Sequence, residues 1–387
     1  MQGNSGIIIS IKVKILIVVS GRYPTPQASS KRLANYIKAL EHEQTTVEVL
    51  TVFFTPNTSI QDLLFAHLVP FKAFRNVFKR AKHCSTVFIY GFGWFGKLMI
   101  IFASRLRGKM SSLEVNEMPY AIHGSRRDYI LKYFEPFHKF CLTRIVYSQA
   151  DGFIVISEAL LQFIERYKKK KAIICKVPIL VDFDYFQENV SKPECFVPYI
   201  IHSATLNDHK DGIIHVFKAF ARLITDYRTD LHFYLTSQRA LPDVRNQIDD
   251  IIAHYNLESR IHFLGDIEEN TLLAFQAHCS FVVVNKIECE QNRYNFATKI
   301  GEYLALGKPV ITTRIGEVSN YLKHNISCLF VEPNNDEEIA GSILRIMNDH
   351  HLSEKIGQAG KMIAQSEFDI YAKSEKIITF FKELIKN

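Results

Sequence analysis

The sequence lacks any apolar run approaching the roughly 20 residues that a membrane-spanning helix needs. It has seven cysteines, and no two of them show the C-x-x-C spacing of a zinc or redox motif. These scattered thiols predict a reduced, cytoplasmic protein. Lys12 and Lys14 interrupt the apolar N-terminal stretch, which therefore predicts a first strand rather than a signal peptide.

No nucleotide-binding pattern G-x-G-x-x-G follows the first predicted strand. The sequence after the first predicted strand reads SGRYPTP, which argues against a dinucleotide-dependent dehydrogenase. There is no tandem repeat and no low-complexity tract.

Charge is present but unevenly placed. Residues 1–187 carry 26 Lys and Arg against 13 Asp and Glu, whereas residues 188–387 carry 21 against 27. A basic first half predicts an anionic partner. A nucleic acid is one such partner, but the basic clusters are not interleaved with a known reading motif. The aromatic and basic stretch Phe71–His83 instead favours an anionic membrane surface, with a packed helix and a solvated basic face as the open alternative.

Apolar strands alternate with helical patterns along the whole chain. This alternation predicts an α/β protein with two doubly wound parallel sheets. We expect one Rossmann-like domain over residues 1–186 and a second over 187–367. Residues 368–387 are expected to form a helix that packs back on the first domain. A ligand is then expected in the cleft between the domains, at the carboxyl ends of the strands.

The stretch Asn292–Thr313 predicts a loop, a short helix from Thr298 and a buried strand from Pro309. A helix start beside a cleft presents free N–H groups and a positive dipole end, which suit a phosphate. Lys299 in its first turn adds charge, and Glu302 could accept hydrogen bonds from a ribose diol. An ordinary surface helix with solvated Lys and Glu is the alternative.

This stretch resembles the donor-binding signature of retaining GT-B glycosyltransferases of group 1, the family 4-like type. In the resemblance, Glu302 is the glutamate that contacts the ribose, Phe296 is the aromatic, and Thr298 and Lys299 lie at the helix start. Tyr294 stands where the family has its first glutamate.

A second similar stretch runs from His202 to Phe220. Lys210, in Lys-Asp-Gly, matches the lysine that neutralises the donor diphosphate, and Thr205 stands near the family's arginine. Gly265, in FLGDI, matches the loop that reads the base. The resemblance implies a GT-B fold, a nucleotide-sugar donor, most often UDP-linked, and no metal cofactor.

In the first half, the loop after a strand contains Asn116, Glu117 and Pro119, where many relatives have a histidine and an acid before a proline. Glu117 is therefore a candidate to orient the acceptor or act as a base, with helix capping as the alternative. Ser29 and Arg32 lie in a stretch similar to the family loop beneath the donor phosphates.

The resemblance implies a hexosyltransferase that acts with retention on a glycan or polyprenyl-diphosphate-linked acceptor in surface polysaccharide biosynthesis. Such an enzyme would be cytoplasmic or peripheral on the inner face of the membrane. A GT-B-fold sugar-nucleotide epimerase is an alternative with the same fold and donor. A basic nucleic-acid-binding protein is an alternative of another class.

Overall fold

A computed structural model describes residues 13–25, 28–53, 69–118, 135–187, 193 and 197–387. The first twelve residues and Pro119 of the predicted acceptor loop lie outside these ranges. Residues 188–192 and 194–196 lie outside them too, so the predicted boundary after residue 186 stays a prediction.

The first half contains a six-stranded parallel sheet in the order β2-β1-β3-β4-β5-β6. The inner strands β1 and β3 are mostly apolar and buried, as expected for strands covered on both faces by helices. The edge strand β6 was not predicted from the sequence. The strands are β1 (Lys14–Ser20), β2 (Thr46–Val52), β3 (Thr86–Tyr90), β4 (Ser111–Val115), β5 (Gly152–Val155) and β6 (Ile173–Lys176).

Helices connect these strands across both faces of the sheet. The helical residues 135–140 continue into a π-helical segment, Cys141–Val146, and a short 3₁₀ turn spans Ala81–His83. The α-helices are α1 (Ala28–His42), α2 (Val69–Arg80), α3 (Trp94–Arg105), α4 (Glu158–Glu165) and α5 (Phe183–Gln187).

The second half contains two three-stranded parallel pieces, β7-β8-β9 and β10-β11-β12. A parallel bridge between Ile200 and Phe281 joins them, so β7 lies beside β10. The order of the strands therefore reverses between β7 and β10. The strands are β7 (Tyr199–His202), β8 (His232–Leu235), β9 (Ile261–Phe263), β10 (Val282–Val284), β11 (Val310–Thr312) and β12 (Leu329–Phe330).

The helices of the second half include the amphipathic α7, whose apolar face packs on the sheet around Phe217 and Phe220. The helices are α6 (Asp208–Asp211), α7 (Ile213–Thr225), α8 (Pro242–His254), α9 (Glu269–His278), α10 (Glu290–Arg293), α11 (Thr298–Ala305), α12 (Val318–Tyr321), α13 (Asp336–Asn348), α14 (His350–Glu367) and α15 (Ile370–Lys386).

The C-terminal helix α15 packs on the sheet of the first half. The rings of Phe381 and Phe88 meet edge to face at 5.4 Å, and Phe380 lies against Gly152 of β5. Just before α15 the chain contacts the first half at Val181, whose N–H donates to the carbonyl of Phe368 at 2.7 Å. Among the helices of the described ranges, none is long and apolar enough to cross a bilayer.

Candidate functional site

The reversal of strand order between β7 and β10 marks the place where ligands bind in doubly wound sheets. His202 ends β7, and Asn285 and Lys286 follow β10 directly. Lys286 forms an ion pair with Asp211, which lies at the end of the short helix α6. Charged side chains therefore lie together at the carboxyl ends of β7 and β10, in a crevice defined by His202, Asp211 and Lys286.

Hydrogen bonds to its backbone N–H and carbonyl hold Lys210 beside this crevice. The side chain of Asn207 caps α6 by accepting from the N–H of Lys210 at 3.1 Å. The carbonyl of Lys210 accepts from Nδ2 of Asn292 at 2.7 Å and from the N–H of Ile287 at 3.3 Å. The helix ends at Gly212, which has a φ of 49°. These contacts fix the start of the Lys210 side chain.

Charged side chains from both halves of the chain affect the pKa of Lys210. Its side chain is partly buried, and burial and the nearby Lys286 lower its pKa. Glu117 of the first half and Asp211 act in the opposite direction and raise this pKa. Glu117 is exposed at the carboxyl end of β4. The structure therefore brings the two predicted catalytic residues, Glu117 and Lys210, within electrostatic reach of each other.

Lys299 and Glu302 lie at the start of α11. Nζ of Lys299 is 2.8 Å from Oε2 of Glu302, and Nε2 of Gln276 is 3.5 Å from the same oxygen. Burial lowers the pKa of His202, and Lys286 and Lys299 lower it further. Lys286 and Lys299 therefore both lie within electrostatic reach of His202.

Three other predicted donor-site residues line the open space around this crevice. Thr205 is exposed in the loop after β7, and its carbonyl lies 3.5 Å from Nε2 of His202. Gly265 follows β9 with a φ of 72°, and a Cβ added at this glycine would meet no atom within 4 Å. Thr298 and Glu302 line a cavity of about 180 Å³ between the halves, to which Lys31 and Glu269 also contribute.

Tyr294 and Phe296 are held in packing contacts. The Tyr294 ring meets the Phe163 ring of α4 at 6.0 Å, and its carbonyl accepts from Oγ of Ser157 at 2.7 Å. The Phe296 ring is 1% exposed and packs on Phe368 at 5.3 Å. Their rings pack α11 and the loop before it against α4 and Phe368. That these two residues bind the donor stays a prediction.

Arg32 is buried, and its guanidinium is fully engaged within the protein. Its Nε lies 2.5 Å from Oε1 of Glu114, and its Nη2 donates to the Tyr36 hydroxyl at 2.7 Å. Its Nη1 donates to the carbonyl of Pro178 at 2.9 Å. Ser29 is exposed, and its carbonyl accepts from the Tyr90 hydroxyl at 2.7 Å. These contacts favour a structural role for Arg32, whereas its predicted role beneath the donor phosphates is untested.

Three residues of the crevice were not predicted from the sequence: His202, Asp211 and Lys286. Each has a signal in the sequence, since His202 and Lys286 come at or just after predicted strands and Asp211 follows Lys210. The rule that ligands bind at the carboxyl ends of parallel strands would have selected them. Within the described residues, no group of three or more His, Cys, Asp or Glu side chains could hold a metal ion. The prediction that no metal is needed stays a prediction.

Comparison with solved structures identifies the class of protein that this fold and cleft define. The chain superposes on Anabaena HepE in complex with UDP and glucose with a TM-score of 0.69, at 16% identity, over 95% of this chain and 99% of that chain. It superposes on a putative UDP-N-acetylglucosamine 2-epimerase from Listeria monocytogenes with a TM-score of 0.61, at 14% identity, over 97% of each chain. The chain therefore has the GT-B fold predicted from its sequence.

Comparison of sequences points to a family within this fold. Residues 189–362 match the family model for glycosyl transferases group 1, a stretch of somewhat less than half the chain. Two uncharacterized glycosyltransferases of Methanocaldococcus jannaschii are similar, at 30% identity over 115 residues and 22% over 166 residues. The alignments cover 30% and 43% of this chain, and 31% and 38% of the length of those relatives. The family match relates the second half of the chain to glycosyl transferases group 1.

Proposed function

We propose that this protein is a glycosyltransferase that moves a sugar from a nucleotide-sugar donor, UDP-linked in the first instance, to a glycan or lipid-linked acceptor. The observation that carries the proposal is the position of Lys210 and Lys286 after the carboxyl ends of β7 and β10, where the charges of Lys286 and Lys299 both act on His202. A nucleoside diphosphate leaves as an anion, and preorganised positive charge in a partly buried site stabilises it as the bond breaks. HepE, which shares this fold, binds UDP and glucose.

We assign parts of the donor to the residues of this site. Lys210 and Lys299 contact the diphosphate, and Glu302 accepts hydrogen bonds from the ribose hydroxyls. The lysines supply the charge that a metal ion supplies elsewhere, so full activity in the presence of EDTA is the expected result. A rate lost in EDTA and restored by Mg²⁺ or Mn²⁺ would contradict this assignment.

We further propose that the transfer retains the anomeric configuration. The bond between the anomeric carbon and the leaving phosphate oxygen breaks, and the acceptor oxygen bonds to the same face of that carbon. The acceptor proton passes to the leaving diphosphate. Glu117, which faces Lys210 from the first half, orients the acceptor hydroxyl. Proton NMR of the product anomer tests retention, because an inverted product would require a separate base.

A screen of sugar nucleotides by thermal stabilisation tests the donor site. A ligand present at 100 times its Kd adds about 2.7 kcal/mol to the free energy of unfolding. Lys210→Ala and Glu302→Ala should each remove a large part of the stabilisation. Lys218→Ala is the matched control, because Lys218 is an exposed lysine on α7. Equal stabilisation of all three variants would remove the proposed site.

The epimerase alternative shares the fold, and a likeness at 14% identity does not separate the two activities. The match of residues 189–362 to glycosyl transferases group 1 favours transfer. Incubation of the protein with UDP-N-acetylglucosamine alone distinguishes them. Transfer predicts no 2-epimer of the sugar nucleotide, whereas its appearance would establish the alternative.

We also propose that the first half docks on an anionic membrane surface, in line with a role in surface polysaccharide assembly. Phe71 of α2 and Phe102 of α3 are each 52% exposed, and Phe74 of α2 stacks on Phe102 at 6.0 Å. Aromatic side chains beside a basic helix face are the pattern of an interfacial surface. The basic residues on or beside α2 are Lys72, Arg75, Lys79, Arg80 and Lys82.

Flotation with vesicles that contain phosphatidylglycerol tests this surface. The protein should float at low salt, and the double variant Phe71→Ser, Phe102→Ser should stay in solution. Tyr227→Ser is the control, because Tyr227 is an aromatic residue of the second half with 55% exposure. Wild-type protein that stays in solution at low salt would contradict docking.

A further inference from the structure

Glu317 of the second half is buried against the first half. It lies shortly after β11, and its side chain is 3% exposed. Its Oε1 accepts from the N–H of Glu158, the first residue of α4, at 2.6 Å. Its Oε2 lies 3.5 Å from Nζ of Lys176, at the end of β6. A carboxylate of one half therefore meets a helix N-terminus and an ammonium group of the other half.

The two partners of this carboxylate make its burial depend on the placement of the halves. The first N–H groups of a helix have no partner within the helix, and the positive end of the helix dipole favours an anion there. A buried carboxylate is costly unless it is hydrogen-bonded and paired with a cation. Because Glu158 and Lys176 both belong to the first half, separation of the halves would remove both contacts of Glu317.

A second contact between the halves lies beside the first one. Oγ of Ser157, the N-cap residue of α4, accepts from the N–H of Leu160 at 3.1 Å and donates to the carbonyl of Tyr294 at 2.7 Å. Tyr294 begins the loop of residues 294–297 between α10 and α11, which we call the donor loop. The start of α4 therefore contacts both Glu317 and the donor loop.

The backbone around Glu317 also packs on the donor loop. The N–H of Glu317 donates to the carbonyl of Asn295 at 3.4 Å. Gly316 has a φ of 70°, and a Cβ at this glycine would lie 2.4 Å from the carbonyl oxygen of Asn295 and 2.6 Å from that of Asn292. Nδ2 of Asn292 in turn donates to the carbonyl of Lys210 at 2.7 Å. A continuous series of contacts therefore connects α4 of the first half, through Glu317 and the donor loop, to Lys210.

We propose that Glu317 is a positioning residue. Together with Ser157 on the other side of the contact, it joins the donor loop to the first half and so holds Lys210 in its binding arrangement. The inference rests on the proposed function, since Lys210 is assigned to the donor diphosphate. Loss of the Glu317 carboxylate should therefore weaken the donor site although every charged group assigned to the donor is still present.

Hydrogen exchange of the protein without ligand tests whether Glu317 holds the donor loop. Backbone amides exchange faster when the contacts that protect a segment are lost. A peptide that covers residues 292–297 should exchange several times faster in Glu317→Ala than in wild type. Glu48→Ala is the matched control, because Glu48 of β2 is paired with Lys14 at 3.0 Å within the first half. Equal exchange of this peptide in wild type and Glu317→Ala would overturn the proposal.

Calorimetric titration with UDP tests the effect on the donor site. Glu317→Ala should bind UDP about tenfold more weakly, the lower end of what a hydrogen bond to a charged group contributes. Glu48→Ala should bind UDP like wild type. Glu317→Gln should retain most of the affinity, because its amide oxygen still accepts from the N–H of Glu158. Lower stability of Glu317→Ala in chemical denaturation with unchanged UDP affinity would show a purely structural role and contradict the proposal.

Ser157→Ala keeps the test decisive if Glu317→Ala does not fold. It removes the hydroxyl that donates to the carbonyl of Tyr294, so it should also speed exchange of residues 292–297 and weaken UDP binding. Wild-type exchange and wild-type UDP affinity in Ser157→Ala would then overturn the proposal. Absence of stabilisation of the wild-type protein by any sugar nucleotide overturns the proposed function instead, and the exchange of residues 292–297 distinguishes the two failures.

Discussion

Nζ of Lys299 lies 2.8 Å from Oε2 of Glu302, so two residues assigned to different parts of a donor are bonded to each other. The pair is only partly exposed, with side-chain accessibilities of 31% and 19%. A donor that binds here must redirect both groups, the ammonium to a phosphate and the carboxylate to the ribose. The ion pair therefore keeps both side chains at the site when no donor is bound.

Substitution of Glu302 should remove discrimination between ribose and deoxyribose. Wild-type protein should bind UDP more tightly than 2′-deoxy-UDP, because the carboxylate accepts from the 2′-hydroxyl and such a bond contributes about 1.5–3 kcal/mol. Glu302→Ala should bind both nucleotides weakly and equally. Calorimetric titration of both nucleotides measures this, with Lys218→Ala as control. A ribose preference that survives in Glu302→Ala would place the ribose elsewhere.

The proposed transferase activity should depend on the protonation of Lys210. Burial and the charge of Lys286 lower its pKa below the ordinary 10.5, so it loses its proton at a lower pH than an exposed lysine. Because the protonated form stabilises the leaving diphosphate, kcat/KM should fall as the pH rises through this lowered pKa. Lys210→Arg should move the alkaline limb upward, since a guanidinium stays charged. An unchanged alkaline limb in Lys210→Arg would show that another group titrates.

The strand and helix alternation could be read from the sequence because it depends on local apolar periodicity. The edge strand β6 was missed because its residues follow the basic run Lys168–Lys171 and end in Lys176, so that no bounded apolar run marks them. Contacts between residues that are distant in the sequence could not be predicted from local periodicity. Lys286 meets Asp211 only because β10 lies beside β7, and Arg32 meets Glu114 through the order of β1, β3 and β4. Local sequence similarity likewise did not reveal the packing of the Phe296 ring.

Substitution of Arg32 distinguishes a structural role for this residue from a role in donor binding. Arg32→Met leaves Glu114 buried without its partner and should cost about 3–5 kcal/mol of the free energy of unfolding. The double variant Arg32→Met, Glu114→Leu should recover much of this loss, because it removes both charges. Chemical denaturation measures both effects. Should Arg32→Met unfold like wild type and lose UDP binding, Arg32 would be a donor ligand instead.

Gly212 and Gly265 form a matched pair of glycines with positive φ. A Cβ at Gly212 would lie 2.4 Å from Nδ2 of Asn285, whereas a Cβ at Gly265 would meet no atom within 4 Å. Both alanine variants carry the cost of a left-handed backbone, about 1–2 kcal/mol. Gly212→Ala should lose more stability and should also weaken UDP binding, because it displaces the turn that holds Lys210. Equal losses of stability in the two variants would contradict the close contact at Gly212.

A crystal structure of the protein with UDP tests the donor site most directly. The diphosphate should lie with an oxygen about 3 Å from Nζ of Lys210, at the carboxyl ends of β7 and β10. The ribose hydroxyls should contact Glu302, and the Lys299–Glu302 pair should be opened or shared with the ligand. A diphosphate bound away from Lys210 and Lys299, with the ion pair intact, would contradict the assignment of this crevice as the donor site.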